Sequence, residues 1–191
     1  MLVWTYRLLF FGSPLFLAAL GHGICLKYDL LRFLKKPLDF RLAFRGKRLL
    51  GDNKTWRGLV IQIIFCTLGG GIQGWLQERG FIPHWLPFLD YTRLGLLIGF
   101  LLGLGMTLGE LPNSFLKRQF DIPPGQRTSG IWGALFFVLD QVDLAIGVWF
   151  FFFFLVKPPV LLVIWSLVLT LVLHLSVSSF GYILRMRKTP S

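Results

Sequence analysis

Asp140 and Asp143 stand three residues apart in a stretch, Ile131 to Val156, that is otherwise almost wholly apolar. A carboxylate at bilayer depth costs about 2.5–3.5 kcal/mol on insertion scales, so an intramembrane acid marks a functional site by default. The i, i+3 spacing puts both on one helical face, where they can share a divalent cation. The structural alternative is pairing with an intramembrane Lys or Arg. No basic residue falls within the expected spans, so the doublet is expected to be available for a metal.

Two cationic clusters supply the complement. The first, Gly51-Asp52-Asn53-Lys54-Thr55-Trp56-Arg57-Gly58, directly precedes an apolar run. Lys54 and Arg57 are donors suited to phosphate, Thr55 adds a hydroxyl, and a helix starting there would turn free N–H groups and its positive dipole end toward an anion. It is not a Walker A loop, because GxxxxGK[ST] is absent. The second is Glu110-Leu-Pro-Asn-Ser114-Phe-Leu-Lys117-Arg118. If a helix continues past Pro112, then Ser114, Lys117 and Arg118 share a face, with Glu110 one turn earlier. An acid, a hydroxyl and two cations on one stripe suit a magnesium-bound phosphate. His22, His84 and His174 are isolated, and Cys25 and Cys66 have no metal or disulfide spacing.

The elements that must position these groups are membrane helices. Hydrophobic residues make up 54% of the 191, and only 15% are charged, against about 25% in soluble domains. The expected fold is all-α and polytopic: one helical domain over 1–191, with about five spans near 8–26, 58–77, 94–111, 131–156 and 160–183. The piece 131–139 is either the start of the fourth span or a re-entrant segment. Of the 20 basic residues, all but Arg7, Arg79, Arg93 and Lys157 fall in loops 27–57 and 112–130 or in the tail, which carries Arg185, Arg187 and Lys188. Lys and Arg gather on cytoplasmic loops, so the N-terminus is expected outside and the C-terminus inside. Gly95, Gly99 and Gly103 repeat every four residues, with Gly105 and Gly109 beyond, a pattern for close helix packing. The net charge of +11 is assigned to topology, anionic lipid and an anionic substrate, not to nucleic acid.

Taken in order, these elements resemble the CDP-archaeol synthase family, relatives of the phosphatidate cytidylyltransferases. Asn53-Lys54-Thr55-Trp56-Arg57-Gly58 is similar to the family's N/HKT-x-RG loop, Ser114-Phe-Leu-Lys117-Arg118 to its S-x-x-K-R element, and Asp140-Gln-Val-Asp143 to the D-x-x-D that follows. Five spans with an outside N-terminus fit as well. The likeness covers about residues 50 to 155. The family usually has Gly-Asp before the Ser element, and here Gly109-Glu110 stands in its place.

The resemblance implies an integral membrane enzyme that transfers a cytidylyl group from CTP to a lipid phosphate on the cytoplasmic side of the cell membrane, releasing pyrophosphate. It implies Mg²⁺ on Asp140 and Asp143 with Glu110 as a third acid. Asn53, Lys54, Thr55 and Arg57 would hold CTP phosphates, Ser114, Lys117 and Arg118 phosphate from either substrate, and Lys117 would act with the two aspartates in catalysis. The lipid could be a diacyl phosphatidate or an isoprenoid ether glycerol phosphate, and a homodimer stays open. The non-enzyme alternative is a small multi-span transporter or a membrane scaffold. A transporter would carry repeat symmetry, and no repeat is visible.

Overall fold

The computed structural model describes residues 2–124, 126 and 129–183, and the side chains of these except 174 and 177–183. Arg127, His174 and the basic residues of the tail therefore lie outside what is described. Five long helices follow one another: α1 (Leu2–Lys27), α2 (Trp56–Glu78), α3 (Tyr91–Gln119), α4 (Gly130–Phe152) and α5 (Val160–Ile183). The first four are long and apolar enough to cross a membrane, and α5 adds an apolar stretch over Val160–Leu173. Each helix packs on the next, and α5 also touches α1.

Glycine decides which faces meet. Lipid offers no hydrophobic drive between helices, so close backbone approach must do the work. On α3, one glycine face turns to α2, where a Cβ on Gly99 would lie 2.7 Å from Thr67 Cα. The other turns to α4, where a Cβ on Gly109 would lie 2.6 Å from the Asp143 carbonyl oxygen and 2.8 Å from Gly147 Cα. The same α3 thus clamps α2 and α4 at once. The half of the bundle holding the N-terminal part of α1 is filled by aromatic packing of Phe11 against Trp149, Phe152 and Phe88.

One helix bound differs from the sequence expectation, and an alternative left open there is decided. α3 does not stop near 111 but runs through Pro112 to Gln119, so residues 112–119 are helix rather than loop. Proline normally breaks the i−4 hydrogen bond. Here Thr107, bonded to Gln62 of α2 at 2.8 Å, and Asn113, bonded to Asp140 and Asp143 of α4, hold α3 on either side of Pro112. α4 is continuous from Gly130 to Phe152, so 131–139 is its first turns and not a separate re-entrant piece.

The segment between α1 and α2 is folded as well. A 3₁₀ turn at Arg32–Leu34 precedes a hairpin of β1 (Ala43–Phe44) and β2 (Lys47–Arg48), paired Ala43 to Arg48 and Phe44 to Lys47. Its turn residues, Arg45 and Gly46, both have positive φ (52° and 77°), as a two-residue type I′ turn demands. Buried Asp39 accepts N–H bonds from Arg41 and Leu50, each 3.0 Å, and pairs with Arg48 at 3.0 Å. Lys47 straps the hairpin to the end of α3 through the Gln119 carbonyl (2.7 Å) and Asp121 (2.6 Å).

Candidate active site

The close approach of Gly109 to Gly147 brings the polar end of α3 against the acidic turn of α4. Asn113, buried, donates from Nδ2 to Asp140 Oδ1 at 2.7 Å and to Asp143 Oδ2 at 3.0 Å. One amide nitrogen thus holds a carboxylate oxygen of each aspartate beside the other. Asp143 Oδ1 accepts from the Leu144 N–H at 2.7 Å. Asp140 is the more open of the two, its side chain 43% exposed, and it pairs with Lys117. The expectation that the doublet lacks a basic partner is therefore corrected. Two further turns of α3 beyond Pro112 carry Lys117 to the same level as Asp140.

The loop before α2 reaches the same place. Lys54 forms an ion pair with Glu110, one turn before Asn113. Thr55 caps α2, its hydroxyl oxygen accepting the Gly58 N–H at 3.2 Å. His22 of α1 lies at the same helix start, with Nε2 at 3.6 Å from where a Gly58 Cβ would stand. Asn53 is exposed on the turn closed by the Lys54 N–H to the Gly51 carbonyl. The structure therefore gathers the Lys54–Glu110 pair, and one turn further along α3 Asn113 and Lys117 with Asp140 and Asp143, with Thr55 and Ser114 flanking them in sequence.

Arg57 points elsewhere, and Arg118 faces the hairpin. Arg57 is buried and donates to Asp29 at 2.7 Å and to the Leu30 carbonyl at 3.3 Å. That hydrogen bond holds the Asp29 carboxyl below the ordinary carboxylate range, aided by Lys35 and Arg32. Arg57 locks the chain entering the loop onto the start of α2. Arg118 lies on the hairpin side of α3 and lines a cavity of about 280 Å³ with Lys47 and Arg48. Its Nε and Nη1 are buried with no protein partner, so it is held ready for an anion.

The site suits a divalent cation through few ligands. Among the described residues, no three His, Cys, Asp or Glu side chains gather at metal-binding range, and Glu110 is engaged by Lys54. The oxygen donors together are the Asp140 and Asp143 carboxylates, next to Asn113 Oδ1, which is buried without a partner. Mg²⁺ takes one or two carboxylates, with waters and substrate phosphates completing its shell, and this donor set fits that habit.

Asn113 and His22 were not singled out by sequence reasoning as site residues. Asn113 had a signal: it lies three residues after Glu110 and four before Lys117, on the stripe that joins them. His22 had none, because only the fold places α1 beside the start of α2.

Comparisons with known proteins give the chain's family and fold. The CarS-like CDP-archaeol synthase family model matches residues 27–191. The CDP-archaeol synthase of Methanoregula boonei is 37% identical over 165 residues, covering 81% of this chain and 88% of its own. That of Pyrococcus horikoshii is 34% identical, covering 81% and 82%, and that of Methanosarcina mazei 31%, covering 81% and 90%. A solved structure described as an intramembrane enzyme for archaeal membrane lipid biosynthesis shares the fold. Its TM-score is 0.63 at 21% identity, over 88% of this chain and 90% of that one. On the family match and these identities, this integral membrane protein belongs to the CDP-archaeol synthase family of enzymes.

Proposed function

We propose that the protein transfers a cytidylyl group from CTP to a lipid phosphate, giving a CDP-lipid and pyrophosphate. The observation that carries the reading is the Asn113 amide joining Asp140 and Asp143 directly beside Lys117, within a chain of this family. The relatives' name supports an archaeol-type ether lipid phosphate over a diacyl phosphatidate.

An oxygen of the lipid phosphate attacks the α-phosphorus of CTP, a new P–O bond forms, and the bond to the β-phosphate breaks with its electron pair leaving on pyrophosphate. Two anions must meet, and charge must be neutralised as one leaves. Asp140 and Asp143 would hold a Mg²⁺, which would supply Lewis-acid neutralisation of phosphate charge. Asn113 fixes both carboxylates on one side, which removes their rotational freedom before substrate arrives. Lys117, now on Asp140, moves to a phosphate oxygen of the reacting pair. Lys54 leaves Glu110 for the triphosphate, while Glu110 keeps that ammonium aimed into the site. Ser114 and Arg118 hold phosphate oxygens at the hairpin side, and Asn53 and Thr55 close the loop over the nucleotide. Positioning and electrostatics carry the reaction, with no protein nucleophile.

The site opens at the inner leaflet. The loop-charge asymmetry, with all but four of the 20 basic residues in the two site-bearing loops and the tail, supports a cytoplasmic active site and an outside N-terminus.

The test is purified protein in detergent with labelled CTP, Mg²⁺ and a panel of ether and ester lipid phosphates. The expected result is labelled CDP-lipid with equal pyrophosphate. No product with any lipid phosphate would leave the transporter or scaffold reading in its place.

A further inference from the structure

A cavity of about 500 Å³ runs between α1, α4 and α5, and its polar end is Asp140 with Gln141. The rest of its wall is apolar but for Ser166 and Thr170. It spans α4 from Asp140 to Trp149, nine residues, or about 13.5 Å at 1.5 Å per residue. Its two ends differ. Beside Asp140 the α1 wall is Phe16 and Ala19, both exposed and so open toward the bilayer. At the other end the wall is Leu8, Phe11 and Trp149, all buried, and Trp149 Nε1 donates to Ser166 Oγ at 2.5 Å. That bond closes α4 onto α5 and makes a floor.

Resting on the proposed cytidylyl transfer, we propose that one hydrocarbon chain of the lipid phosphate lies in this groove, and that the Trp149–Ser166 floor sets how much chain is held. The occupant follows from the polar end. The groove ends at the carboxylate that Asn113 and Lys117 hold, so an amphiphile with its tail inside sets its phosphate at the candidate centre. Lipid held only as bulk solvent would need no such junction. The opening by Phe16 and Ala19 is where the chain enters from the bilayer, so length selectivity lies in the inner portion between it and the floor.

Gly12 offers the cleanest probe. It lines the groove about 10 Å along α1 from Ala19, and a Cβ there would meet only Leu15 Cδ1 at 3.9 Å. Gly12→Leu therefore fills the groove without forcing the helices apart. Trp149→Leu removes the floor instead. With CTP as co-substrate and lipid phosphates of about eight or about sixteen carbons per chain, Gly12→Leu is expected to raise KM about ten-fold for the long chain and leave the short chain and kcat unchanged. Trp149→Leu is expected to shift preference toward the long chain. Equal effects on both lengths, or none on either, would overturn the groove assignment.

A second readout does not need turnover. A lipid phosphate brominated near the chain end is expected to quench tryptophan fluorescence in the wild type, and to quench it less in Trp149→Phe. A brominated neutral diglyceride is expected to quench at least five-fold more weakly at equal concentration. Equal quenching by the two lipids would make the cavity a site for any membrane lipid and sink the proposal. Selective quenching without any CTP turnover would sink the cytidylyltransferase reading and leave the groove standing.

Discussion

Lys54 and Glu110, fifty-six positions apart, form an ion pair that ties the loop before α2 to the C-terminal part of α3. Both are only partly exposed, so the pair is screened less than a surface bridge. In the proposed reaction Lys54 serves the triphosphate, which makes Glu110 its holder rather than a metal ligand. Lys54→Ala is expected to raise the KM for CTP about a hundred-fold, and Glu110→Gln about five- to ten-fold. The double variant is expected to fall short of the product of the two, a coupling of about 1–2 kcal/mol. Strictly multiplicative effects in steady-state kinetics would separate the two residues functionally.

The acidic pair carries the heavier burden. Asp143→Asn and Asp140→Asn are each expected to lower kcat by about a hundred-fold or more, with the thermal melt in detergent within a few degrees of wild type. Asn113→Leu keeps both acids but removes the amide that aligns them, and is expected to cost about ten- to a hundred-fold. An Asn113→Leu enzyme at full speed would show that the aspartates align themselves.

Chelation tests the dication directly. Treatment with EDTA is expected to abolish turnover and excess Mg²⁺ to restore it, while Na⁺ or K⁺ at equal ionic strength restores nothing. In Asp143→Asn the Mg²⁺ concentration for half-maximal rate is expected to rise at least ten-fold. An unchanged Mg²⁺ dependence there would remove Asp143 from the metal.

The α3–α4 contact is as important as the polar groups. A Cβ on Gly109 would stand 2.6 Å from the Asp143 backbone oxygen, so the helices must part to admit it. Gly109→Val is expected to cut activity at least ten-fold and lower the melting temperature, whereas Gly23→Val, where a Cβ meets nothing within 4 Å, is expected to do neither.

The loop adds a pH dependence. Burial by itself would raise the Asp39 pKa, but the Leu50 N–H, the Arg48 guanidinium and the Arg41 N–H outweigh it and hold the carboxyl below its ordinary value. A depressed folded pKa stabilises above the unfolded value, about 3.9, and the contribution is lost as pH falls through the folded value. The melting difference between wild type and Asp39→Asn is expected to be full at pH 6–7 and to shrink as pH falls below about 4. A difference constant down to pH 3 would contradict the assignment.

Much of this was legible in the sequence, and for physical reasons. Helices in lipid must satisfy their own backbone, so apolar length finds them, and the Gly95-Gly99-Gly103 stripe announces the face on α2. The acids and cations of the site stood out because such groups are costly at bilayer depth. What stayed hidden depended on tertiary contact. Pro112 looks like a helix end, yet α3 runs on to Gln119, and only so do Asn113 and Lys117 reach Asp140. Arg57 looks like a phosphate ligand until Asp29, twenty-eight positions earlier, is found beside it. The hairpin at 43–48 has too few residues for any periodicity to show.

The Asn113 bridge bears on how the protein is made. During synthesis α3 is threaded into the bilayer before α4 exists, carrying an amide whose two partners have not yet been translated. The acidic turn of α4 is no better off until it docks. Each helix thus enters the lipid with a polar debt that only its neighbour cancels, and a chain stalled between them should be a preferred target for quality-control proteolysis.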